Sequence, residues 1–374
     1  ASTNGGGYVT GGGGTDFTLQ DNPQKTIDLV TNTAVVGTTT THVQFATYTP
    51  LAEDVGNFLQ ITGGTATAGF YQISSIDAGN LRWVMDRSMG TATNTIVGQM
   101  GGALDHPQRT TGVALGGNTH YIKSGTYGQL SANAFVLNTG NTSVARTSSL
   151  WIGYDSSRTV TPTGTNRPLF DATGLTNGIV HDISSNFFRN IRIDGATGDG
   201  VECTATGGYY NCKISGNGAI GFDTTVDMTF VACEVSGNTG DGIQCDSGVN
   251  IMYSYIHDNG SEGVVAVGSA THLFAFSVTE TNSATGFAAT SNGSGIANII
   301  NSVAYANTGA SSDGFSWEQG AAFAMRGQAI INCSSKDNGR YAYNASGAST
   351  EEPGAFDYNN YNGHTTELNN IAIA

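Results

Sequence analysis

The sequence predicts an all-β chain built around a right-handed parallel β-helix, and three ladders of residues predict it. A glycine followed by an apolar residue recurs at Gly178-Ile179, Gly200-Val201, Gly221-Phe222, Gly242-Ile243, Gly263-Val264, Gly286-Phe287 and Gly314-Phe315, at intervals of 22, 21, 21, 21, 23 and 28 residues. Asn217, Asn238, Asn259, Asn282, Asn307 and Asn338 close the same units. A small residue stands five positions before each asparagine: Cys212, Cys233, Ser254, Ser277, Ser302 and Cys333. Self-similarity at this period marks a solenoid.

Leucine-rich repeats are excluded by composition, because Leu273 is the only leucine between Gly178 and Arg340. The units hold short β-branched, aromatic and thiol runs such as Val201-Glu202-Cys203, punctuated by Gly, Asn, Asp and Ser. These read as strands and turns. Parallel strands joined this way wind right-handed, each coil rising about 4.8 Å. Like residues then stack, and asparagines can hydrogen-bond along the axis. A further unit is expected from Tyr341, where the glycine is missing.

The chain divides into four expected segments. Residues 1–27, rich in Gly, Thr, Asn and Gln, read as an extended arm, either a loose tail or a docking segment. Residues 28–100 read as a small β domain with strands at 58–62, 70–73 and 81–85. The parallel β-helix occupies 101–344, opening with 119–127, 149–154 and 168–171. Residues 345–374 are expected to cap the solenoid, since an open sheet edge invites edge-to-edge growth.

Charge excludes whole classes of partner. The 374 residues carry 14 Lys+Arg against 29 Asp+Glu, a net charge of −15. That balance argues against nucleic acid and against an anionic membrane surface. No apolar run of about 18 residues is present to span a bilayer. Two origins fit the Ala-Ser-Thr start, initiator methionine removal or signal cleavage. Of the five cysteines, Cys212 and Cys233 are one coil apart and Cys203 and Cys245 two. Either they form a disulfide or metal site or, the reading preferred, they fill the interior as small thiols. No Cys-x-x-Cys pair, phosphate loop or nucleotide fingerprint appears, so no cofactor or metal is expected.

The chief catalytic candidate is a pair of carboxylates. Coil alignment puts Glu202, Asp223, Gln244 and Val265 at one outward position, so Glu202 and Asp223 become neighbours about 4.8 Å apart in backbone. Carboxyl groups about 5 Å apart suit a retaining glycosidase; a solvated acidic stripe is the plainer alternative. Asp199, Asp241, Glu262 and Asp313 each precede a unit-opening glycine, which is ordinary turn chemistry. Arg192, Lys213, Glu234 and Tyr255 form a second outward column, with Lys213 and Glu234 set as a surface ion pair. Tyr255 and Trp317 are the candidate carbohydrate-stacking aromatics, with Tyr253, Tyr209, Tyr210 and Tyr305 in support.

The run Tyr121-Ile122-Lys123-Ser124-Gly125-Thr126-Tyr127, followed by asparagine-laddered coils, resembles the pectate-lyase-like β-helix superfamily. That superfamily includes polysaccharide lyases, glycosidases, epimerases and phage tailspikes. The resemblance implies the fold over residues 101–345 and leaves the activity to the site. Its tailspike branch, the arm-like start and the cap-like end together suggest a virion-surface structural protein: a head decoration, fibre or spike. Such a protein is expected to be a homotrimer, held to other virion proteins by the arm and needing no catalysis, at a virion surface or outside the cell. The alternative is a polysaccharide-degrading glycosidase or lyase using Glu202 and Asp223. A third reading is an adhesin that binds a surface polysaccharide without cleaving it.

Overall fold

The computed structural model describes residues 33–35, 41–44, 58–67, 69–90, 93–101, 119–128, 134–136, 148–155, 162–267, 270–291, 296–319, 329–346, 355–357, 359–362 and 366–369, with 49, 50, 55 and 107. The expected arm, residues 1–27, lies outside them. The chain divides into two compact units, with the break at Val113 apart from residues 157–159.

The first unit contains one six-stranded sheet. Its strands run in the order Thr33–Val35, Thr93–Gly101, Phe58–Gly64, Gly69–Asp77, Arg82–Met85 and His42–Gln44, and the paired neighbours are antiparallel. Alternation explains its core: Leu59 and Ile61, Tyr71 and Ile73, and Trp83 and Met85 are all buried at period two. Leu81, expected to open a strand, sits instead in the preceding turn at φ 51° and is exposed.

The second unit is the solenoid. Three ten-stranded parallel sheets run side by side, and each coil contributes one strand to each. Coils of 21 residues in the centre repeat Gly207–Tyr210, Lys213–Ser215 and Phe222–Thr224 as Met228–Val231, Glu234–Ser236 and Ile243–Cys245. The residue after each unit-opening glycine points inward on the third sheet. Phe135, Ile179, Val201, Phe222, Ile243, Val264, Phe287, Phe315 and Tyr343 stack in register, all fully buried. On the first sheet Trp151, Phe188, Tyr209, Phe230, Ile251 and Phe274 form a matching column. Each such side chain contributes roughly 1.5–3 kcal/mol by leaving water.

Register bears on two expectations at the C-terminal side. Phe315 pairs with Tyr343, so Ala342 takes the glycine position and the unit opens one residue after Tyr341. Within residues 345–374, expected to cap the solenoid, three strands continue the three sheets. Ala355–Asp357, Asn360–Asn362 and Thr366–Asn369 pair in parallel with the preceding coil. Phe356 falls in register with Ile330, and Tyr361 with Ser335.

The asparagine ladder is continuous. Asn217 Nδ2 donates to Asn238 Oδ1 at 2.7 Å, and the same bond repeats to Asn259, Asn282, Asn307 and Asn338 at 2.9, 2.9, 3.0 and 2.7 Å. Every member is buried. The small-residue ladder works similarly, with the Cys233 and Ser254 amides donating to the hydroxyls of Ser254 and Ser277. All five cysteines are free and buried.

Candidate functional site

Two outward faces of the solenoid carry chemistry. On the third sheet Val180, Glu202, Asp223, Gln244 and Val265 occupy one column, each in register with the next. The expected neighbours Glu202 and Asp223 are therefore brought together, with Val180 on one side along the axis and Gln244 on the other. Both are half-buried. Asn177 Nδ2 donates to Glu202 Oε2 at 2.6 Å and fixes that carboxyl from the coil below. Asp223 Oδ1 is shut off from solvent without a protein hydrogen bond. Burial, then Asp199, Asp246 and Glu202, push the Asp223 carboxyl up to about 6. The geometry thus sets a carboxyl that holds a proton in mild acid beside a second carboxyl.

A raised carboxyl pKa makes stability depend on pH. The folded chain holds the Asp223 proton more tightly than the unfolded one does. Its contribution is complete below the ordinary value of 3.8 and is lost as pH rises through about 6. Asp223→Asn, always neutral, should gain on the parent between pH 4.5 and pH 7.5. After discounting for the side chain's exposure, the relative gain is about 1 kcal/mol. Thermal melts of both proteins at the two pH values measure it; an unchanged difference would refute the shift.

Three of the acids before the glycines tie one coil to the next rather than closing a local turn. Asp199 Oδ1 accepts the Ile220 amide at 3.0 Å, Asp241 Oδ1 the Glu262 amide at 3.0 Å, and Asp313 Oδ1 the Tyr341 amide at 3.2 Å. Asp313 is buried and also takes two hydrogen bonds from Arg340, at 2.9 and 2.8 Å. Among the described residues no cluster of His, Cys, Asp and Glu is arranged to hold a metal ion.

The second sheet carries the mixed-charge face. Arg192, Lys213, Glu234 and Tyr255 are in register. Lys213 Nζ reaches Glu234 Oε1 at 2.6 Å. Partial burial raises the Glu234 carboxyl, but the Lys213 ammonium outweighs it and holds the group below its usual value. His257 sits between Asp258 Oδ2 at 2.8 Å and Glu234 Oε1 at 3.6 Å. It stands at period two from Tyr255, which it stacks upon at 4.1 Å. Tyr255 is exposed, and its hydroxyl donates to Glu280, which pushes it up to about 12.

The aromatic candidates separate. Tyr253 and Tyr255 are both exposed around buried Ser254. Tyr209 is fully buried between Phe188 and Phe230. Trp317 lies on the third sheet, in register with Ala289 and through it with the buried column Cys203, Cys245 and Ala266. It shares no sheet with Tyr255. The buried histidines belong to the core: burial brings His181 down to about 4, packed against Phe188 and Tyr209.

Comparison with known proteins agrees with this architecture. The model of the right handed beta helix region matches residues 171–308. Among solved structures the chain is similar to pectate lyase Pel9A, with a TM-score of 0.54 and 14% identity over 70% of this chain and 71% of that one. The catalytic domain of a GH87 alpha-1,3-glucanase aligns at a TM-score of 0.38 and 10% identity over 88% of this chain and 87% of that one. No curated protein matches the sequence.

Proposed function

From a chain that has the pectate-lyase-like right-handed parallel β-helix fold, we propose a polysaccharide-degrading enzyme that hydrolyses a neutral glycan with Asp223 and Glu202. The observation that carries this reading is the Asp223 carboxyl, raised to about 6 beside a second carboxyl on the next strand. Paired strands set the two groups about 4.8 Å apart at the backbone, near the separation of about 5 Å that a retaining mechanism uses. Asp223 protonates the glycosidic oxygen, and Glu202 attacks the anomeric carbon as the leaving group departs. Water then hydrolyses the glycosyl-enzyme, with Asp223 accepting its proton. A neutral substrate follows from charge: the net −15 and the nearby Asp199 and Asp246 repel a polyanion. The known activity of pectate lyase Pel9A belongs to that protein; here it supports only the choice of a polysaccharide as the class to test.

Glu202→Gln and Asp223→Asn should each lower depolymerisation of the neutral polysaccharide by about 10²–10⁴-fold, with less than about 3 °C change in Tm. Reducing-end release across a panel of neutral polysaccharides measures it. Full activity in both variants, or no release by the parent on any of them, would remove the assignment.

A second reading is a non-catalytic virion-surface protein, assembled as a homotrimer. It is supported by the short connections around the pair: only six residues separate Asp194 from Val201, and three separate Cys203 from Gly207. Among the described residues no long loop rises there to wall a cleft, where binding and catalytic residues commonly sit. Light scattering giving a trimer, together with recovery of the protein from purified particles, supports this reading; a clean monomer absent from particles defeats it.

A further inference from the structure

The corner where each first-sheet strand turns into the second sheet holds one residue in the left-handed region. Down the solenoid these are Asn190, Asn211, Ala232, Tyr253, Phe276, Asn301 and Asn332, with φ between 50° and 58°. Asparagine tolerates this conformation, whereas a bulky aromatic there is an outlier that costs energy. In the outer coils the asparagines bond to one another, Asn211 to Asn190 at 2.7 Å and Asn332 to Asn301 at 2.6 Å. Three consecutive coils abandon that pattern for Ala, Tyr and Phe. Packing does not require the change, because Tyr253 is 61% exposed and Phe276 is 48% exposed. Strain kept at an exposed position points to a function.

The order of the three residues defines a slot. Tyr253 and Phe276 stack with centroids 4.9 Å apart and planes 12° from parallel, so one Tyr253 face is covered. The other face looks along the column toward Ala232, whose methyl group cannot cover a ring. Beyond it stands Asn211, two coils from Tyr253 and so about 9.6 Å away. That interval, less the thickness of the aromatic ring, admits one saccharide ring. Asn211 is held in place by Arg167, which donates to its Oδ1 at 2.5 Å. Lys213 and Glu234 open the second-sheet strands two residues after Asn211 and Ala232, and pair with each other at 2.6 Å.

We propose that this slot is a saccharide-binding subsite taking one neutral hexopyranose, with its apolar ring face on Tyr253 and its hydroxyls bonded by Lys213 and Glu234. A stacking face beside charge-balanced polar groups suits a neutral sugar: the ring gives area, and the ion pair gives orientation. It lies on a different face from Glu202 and Asp223 and works as an anchoring site for a glycan chain, whether or not that pair cleaves it. The proposal deepens the polysaccharide reading and separates from it experimentally.

The host for the test is the full chain carrying Glu202→Gln and Asp223→Asn, so that cleavage cannot consume the probe. Saturation-transfer NMR and calorimetry are run with cellohexaose, maltohexaose and, as an anionic counterpart, hexagalacturonate. Binding of a neutral hexasaccharide is expected with Kd on the order of 1 mM. Ala232→Tyr fills the slot by extending the stack, and Tyr253→Asn removes the platform while restoring the residue this backbone favours. Each should weaken binding at least tenfold, and Tyr253→Asn should raise Tm. No binding of either neutral hexasaccharide, a preference for hexagalacturonate, or full binding by either variant would overturn the subsite. Failure of the hydrolysis assay alone leaves this result standing.

Discussion

Replacing Asn259 by alanine should destabilise the solenoid by about 3–5 kcal/mol. Its Oδ1 accepts both the Asn238 amide at 3.2 Å and Asn238 Nδ2 at 2.9 Å. Its Nδ2 donates to Asn282 Oδ1 at 2.9 Å and to Val235 O at 3.3 Å. Truncation leaves two Asn238 donors buried without those partners, and each such group costs about 1–3 kcal/mol. Urea unfolding followed by circular dichroism measures the loss. The control is Asn301→Gly, which removes an exposed inter-coil bond while keeping the left-handed backbone relaxed. It should cost less than about 1 kcal/mol. Equal losses in the two variants would show that burial of the ladder is not what makes it matter.

Gly242→Ala is expected to be as damaging, by about 3–5 kcal/mol, for a steric reason. A Cβ there would lie 2.4 Å from Ile256 Cγ2, 2.5 Å from Gly263 O and 2.9 Å from Asn259 Nδ2. The carbonyl has little room to move, because it accepts the Ile243 amide at 3.0 Å. Side-chain relaxation therefore cannot relieve the clash, and the coils must part or the chain must shift. Gly125→Ala is the comparison: its Cβ meets nothing within 4 Å, so it should be neutral or stabilising by up to about 1 kcal/mol. Thermal and urea unfolding of both variants check the pair. A tolerated Gly242→Ala would mean that adjacent coils do not approach as closely as the register implies.

These two positions show why so much of the fold was legible. In a solenoid every long-range contact lies one period away, so the spatial neighbours of Asn259 are Asn238 and Asn282, 21 and 23 residues along the chain. A repeated glycine, a repeated apolar residue and a repeated asparagine write the register directly. The pairing of Glu202 with Asp223 was readable for the same reason, since both stand one place after an inward residue in coils of equal length. Where coil length changes, that arithmetic fails. The missing glycine displaced the next opening from Tyr341 to Ala342.

The sequence alone thus determined the period, the inward ladders and the adjacency of one carboxyl pair, because each is a local pattern repeated at fixed spacing. Only the tertiary structure decided what surrounds those groups. Asp223 is raised chiefly by burial that no single unit reveals, and then by Asp199 and Asp246, one a coil before it and the other a coil after. The same holds for the left-handed corner. Ala232, Tyr253 and Phe276 look unrelated in sequence, and they become a stack beside an open slot only when three coils lie one above another. Backbone conformation and solvent exclusion belong to the assembled surface, so they have no fixed spacing in the chain.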